Sequence, residues 1–77
     1  MQDLIKFLIT KITGSEDFDI TESTDERGEL FTIKAKPEII GLIIGKAGKT
    51  IKNIRRIASI RATAENKFVN INVIERD

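Results

Sequence analysis

Apolar side chains at Leu4, Ile5, Leu8, Ile9 and Ile12 fall three and four apart, the spacing of one helix face, and predict an amphipathic helix over about residues 2–13. Gly14 supplies its stop, because glycine tolerates the left-handed conformation that follows a last helical turn. Phe7 falls off the stripe, which leaves it for the margin of the core or for a contact with another chain. From Phe18 the period changes to two. Residues 18–24 set Phe18 and Ile20 against Asp19 and Thr21, and residues 29–36 set Phe31, Ile33 and Ala35 against Leu30, Thr32, Lys34 and Lys36. The polar turn Asp25-Glu26-Arg27-Gly28 between them makes an antiparallel hairpin the simplest arrangement. Pro37 cannot donate to a ladder, so it ends the second strand, and its fixed φ suits the first turn of a helix.

That helix, Pro37 to Ile44, carries Ile39, Ile40, Ile43 and Ile44 and halts at Gly45-Lys46-Ala47-Gly48. Another follows at once, over 49 to about 63, with Ile51, Ile54, Ile57 and Ala58 on one arc and Lys49, Lys52 and Arg56 on another. A last alternating run, Val69, Ile71 and Val73 against Phe68, Asn70 and Asn72, is the third strand. The order αββααβ predicts an α+β fold in which a three-stranded mixed sheet is covered on one face by three helices. The two-helix crossover returns the last strand parallel to the second. The uncovered face keeps the polar set Thr32, Lys34, Asn70 and Asn72.

A chain of 77 residues is expected to form a single domain over 1–77, with no room for a second core. It has no Cys and no His, which removes thiol nucleophiles, thiolate metal sites and the commonest acid/base group near neutral pH. Neither enzyme, metal site nor cofactor is expected. No apolar run is long enough to span a membrane, so the default location is cytoplasmic. The formal net charge of +1 conceals a division: residues 1–33 carry three basic and eight acidic side chains, residues 34–77 ten basic and four acidic. Such a bipolar chain can focus a polyanion on one face.

Two glycines three apart join two helices with almost no linker. Without a Cβ at Gly45 or Gly48 a sugar-phosphate strand can approach the main chain, and the N–H groups that open the next helix suit phosphate oxygens. Lys46 and Lys49 add charge there, and Lys52, Arg55 and Arg56 continue it. Phosphate contacts bind and orient a strand but read no sequence, so base recognition falls to an apolar rim, with Ile44, Ile54 and the more core-like Ile33 as candidates. A nucleotide-binding P-loop is excluded, because Gly48-Lys49-Thr50 follows a helix and its upstream glycines, Gly41 and Gly45, have the wrong spacing.

The segment Ile43 to Arg55, IIGKAGKTIKNIR, resembles the signature of the KH domain, and the element order resembles its type II form. The whole chain is similar to the small bacterial one-domain RNA-binding family KhpA, also called YlqC. The resemblance implies single-stranded RNA held beside the Gly45-Lys46-Ala47-Gly48 loop, with Ile43, Ile44 and Ile51 flanking it and Lys49, Lys52 and Arg55 as basic positions. It further implies a partner protein carrying another KH domain, and links to RNA-chaperone or messenger regulation, cell shape and cell-wall biogenesis. Gly41-Leu42 departs from the charged or polar residues common there. Leu42, Ile60 and Phe7 are therefore candidates for a weak homodimer contact. The competing reading is a protein-interaction subunit whose loop and helices contact another polypeptide.

Overall fold

The computed structural model describes residues 1–76. Its elements are α1 (Gln2–Thr13), β1 (Phe18–Asp25), β2 (Gly28–Ala35), α2 (Pro37–Ile44), a 3-10 turn at Lys46–Gly48, α3 (Lys49–Ala64) and β3 (Val69–Glu75). The sheet order is β1-β2-β3, with β1 antiparallel and β3 parallel to β2. The α+β architecture is the one the periodicities predict. Strand β2 ends at Ala35 because Lys36 leaves the sheet to cap α2, its carbonyl accepting from the Ile40 N–H at 2.9 Å.

One face of the central strand builds the core. Phe31, Ile33 and Ala35 are fully buried and meet Ile5 and Ile9 of α1, Ile40 and Ile43 of α2, Ile51, Ile54 and Ala58 of α3, and Ile71 of β3. Every buried side chain among the described residues is apolar. Two expected core residues are not in it: Ile12 is 41% and Ile57 40% exposed. The buried arc of α3 runs Ile51, Ile54, Ala58, Ala62, in steps of three and four, and Ile57 stands to one side of it. Ile12 lies in the last turn of α1, beyond the core-facing pair.

Local hydrogen bonds set the element ends. Gly14 takes φ 70 and its N–H donates to the Thr10 carbonyl at 2.8 Å, closing α1 as expected. In the hairpin turn the Asp25 carboxylate accepts from the Arg27 and Gly28 N–H groups at 2.7 and 3.2 Å. At the other end of the sheet Arg76 reaches from beyond β3 across β2. Its N–H donates to the Ala35 carbonyl at 2.8 Å, and its guanidinium pairs with Asp17 at 2.8 Å and Asp19 at 3.0 Å. The Arg76 hydrogen bond and charge, helped by Lys36, hold the Asp17 carboxyl below the usual carboxylate range. No helix among the described residues is long and apolar enough to cross a membrane.

Candidate nucleic-acid interface

Helix α2 ends at Gly45, whose φ of 73 and ψ of 176 belong to a region that only glycine enters readily. The Gly45 N–H donates to the Gly41 carbonyl at 2.9 Å, and the Gly48 N–H to the Gly45 carbonyl at 3.1 Å, which folds the loop onto itself. Ala47 (φ 56) and Gly48 (φ 74) are both left-handed. The glycines have different neighbours. A Cβ at Gly45 would overlap the Thr50 side chain, whereas one at Gly48 would meet nothing within 4 Å. Gly45 is thus required by the packing of Thr50 beneath the loop, and Gly48 leaves its main chain open to a ligand. Lys46, Ala47 and Lys49 are exposed, and no side chain caps the start of α3.

The basic residues divide between two faces of α3. Lys49, Lys52 and Arg56, with Asn53, line a shallow recess of about 310 Å³. Arg55 turns the other way, its Nη2 donating to the Ile71 carbonyl of edge strand β3 at 3.2 Å. It stands in a cleft of about 450 Å³ between α3 and β3, lined also by Leu30, Ser59 and residues 69–72. Lys36, Arg61, Lys67 and Arg76 all pair with carboxylates. Among the described residues, Lys46, Lys49, Lys52, Arg55 and Arg56 have no acidic partner within ion-pair distance. Positive charge is therefore uncompensated along the loop and the first half of α3.

The four candidate floor residues do not form one surface. Ile33 and Ile43 are fully buried and Ile54 is 1% exposed, so these three belong to the core and support the site from beneath. Ile44, at 39%, offers surface beside the loop. Asn53, Ser59, Asn70 and Asn72 also line the two hollows; the sequence marks Asn70 and Asn72 only as part of the polar sheet face, and none of the four as a site residue. Asn53 was findable, since it lies four residues after Lys49 and three before Arg56 and so shares their face. Phe7, Leu42 and Ile60, on three different helices, are 57%, 50% and 65% exposed. No group of three or more Asp or Glu among the described residues could hold a metal ion.

The family model described as "KhpA/KhpB, KH domain" matches residues 2–73. The RNA-binding protein KhpA of Clostridium perfringens is 31% identical over 75 residues, covering 96% of this chain and 100% of the relative. KhpA of Clostridium acetobutylicum gives the same identity and coverage. A polyribonucleotide nucleotidyltransferase of Microcystis aeruginosa is 39% identical over 49 residues, 64% of this chain but 7% of that enzyme. With the αββααβ order, the mixed sheet and the glycine turn between α2 and α3, these similarities establish that the chain belongs to the KhpA/KhpB family of KH domains, a family of RNA-binding modules.

Proposed function

We propose that this chain binds short single-stranded RNA without altering it chemically, through the Gly45-Lys46-Ala47-Gly48 loop and the basic side of α3. The supporting observation is the unpaired row of cations, Lys46, Lys49, Lys52 and Arg56, leading away from an open glycine turn. Phosphates settle on the loop main chain and on this row. Bases turn toward Ile44 and the α3/β3 cleft, where Arg55 has N–H groups beyond the one given to Ile71. The residues form one KH domain over 1–77, acting in the cytoplasm in post-transcriptional regulation, alongside a partner protein carrying a second KH domain. Linked modules gain strength by effective concentration, which compensates for a single weak site.

The test is the double substitution Lys46→Asp with Ala47→Asp, assayed by fluorescence anisotropy on unstructured RNA oligomers. Asp enters the left-handed region more readily than Ala, so the loop should keep its shape while the phosphate site becomes repulsive. Binding should vanish with the melting curve little changed. Unaltered affinity would reject the loop mechanism and favour the protein-interaction reading. The exposure of Phe7, Leu42 and Ile60 motivates that second reading in the form of a weak homodimer through the helical side. A purely monomeric mass by ultracentrifugation at high concentration would remove it.

A further inference from the structure

We propose that the Phe68 ring is a stacking platform for a base of bound RNA, at the end of the interface farthest from the glycine loop. This deepens the RNA-binding reading and rests on it. Phe68 is 78% exposed, the highest value among the large apolar side chains described. A phenyl ring left in water contributes to folding almost none of the roughly 2 kcal/mol that its burial would.

The ring is exposed although its backbone is held fast. Helix α3 closes with Asn66 left-handed at φ 58, the Asn66 N–H donating to the Thr63 carbonyl at 3.1 Å and the Lys67 N–H to the Ala62 carbonyl at 2.8 Å. The Phe68 carbonyl then accepts from the Glu29 N–H at 2.9 Å. Gly28, at φ 136, packs so closely on that carbonyl that a Cβ there would overlap it. A side chain projected from a fixed main chain loses little freedom on binding, and a phenyl ring has only two torsions to fix.

Phe68 lines two hollows. One, of about 370 Å³, is lined by Phe68 with Glu26, Arg27, Val69 and Asn70; the other, of about 260 Å³, by Phe68 with Thr63, Asn66 and Lys67. The first shares Val69 and Asn70 with the cleft that holds Arg55, so a strand leaving that cleft arrives at the ring. Loop and ring are separated by the length of α3, about 24 Å at the helical rise, which an extended strand spans and a single nucleotide does not. The local charges nearly cancel: Lys67 pairs with Glu29 at 3.3 Å and Arg27 offsets Glu26, while the Asp25 carboxylate is turned to the N–H groups of the hairpin turn.

The experiment compares the full chain with Phe68→Ala and Phe68→Trp on an oligoadenylate decamer. Phe68→Ala should weaken binding about ten-fold while melting as the parent does, because the ring makes no buried contact. The chain has no Trp, so the indole of Phe68→Trp is a sole reporter, and its emission should be quenched with the dissociation constant read by anisotropy. If the decamer binds, and is lost on Lys46→Asp with Ala47→Asp, yet Phe68→Ala leaves affinity unchanged and the indole is silent, the platform is refuted and the RNA reading stands. If the parent chain binds no decamer, both fall. Loss of self-association on Phe68→Ala with RNA affinity intact would assign the ring to a protein contact and also overturn the proposal.

Discussion

Gly45 holds φ 73 and ψ 176 with the Thr50 side chain where a Cβ would stand. Gly45→Ala therefore adds an overlap to a backbone conformation that already costs other residues about 1–3 kcal/mol. At about 4–8 °C per kcal/mol for a domain of this size, its melting temperature should fall by roughly 10 °C or more. Gly48→Ala meets open space and bears the left-handed penalty alone, about 1–2 kcal/mol, so it should melt higher than Gly45→Ala. Ala47 bears that penalty already at φ 56, and Ala47→Gly should stabilise the fold by about 1 kcal/mol in thermal melts. The pair of glycines is plain in the sequence, but their different duties are not. Which one lies over Thr50 depends on how the loop folds back, and no spacing rule carries that information.

At the scale of elements, periodicity located every helix and strand to within about two residues at their ends, because a sheet covered on one face by short amphipathic helices leaves each element a clear inner face. Function was less legible. Ile33, Ile43 and Ile54 lie near the loop in sequence or space, but so small a chain consumes nearly every inward aliphatic group in its core. Ile54→Ala should accordingly cost about 2–5 kcal/mol in urea denaturation, much of the stability available to a domain of this length. Arg55 reads as one more cation of α3, whereas the tertiary fold turns it to the Ile71 carbonyl. Removing that donor in Arg55→Met should speed amide exchange along β3 beyond any change in the rest of the sheet, measured by hydrogen exchange. Salt should weaken the RNA affinity of this variant almost as steeply as that of the parent, because its main tie is to the strand.

For the whole molecule, the split between an acidic amino-terminal and a basic carboxyl-terminal half predicts RNA binding that falls with salt. In the proposed binding mode, four phosphate contacts, from Lys46, Lys49, Lys52 and Arg56, would give a log–log slope of about −3 for a single strand. A flat salt response would contradict them. The acidic half is tied to the basic half by the Asp17–Arg76 pair, which lowers the folded-state pKa of Asp17. Its contribution to stability is full above the unfolded Asp value near 3.9 and is lost as the pH falls through the lower folded value. The stability gap between the parent and Arg76→Met should thus narrow on acidification, and also in high salt because the pair is exposed.

Among the described residues the buried side chains are aliphatic groups and one phenyl ring, with no side-chain donor or acceptor whose counterpart must change in step with it. Swaps that conserve volume among its isoleucines, such as Ile to Leu with a compensating neighbour, are tolerated at modest expense. Laboratory variants can consequently be tuned for heat resistance through the interior while the turn and its cations are left as they are.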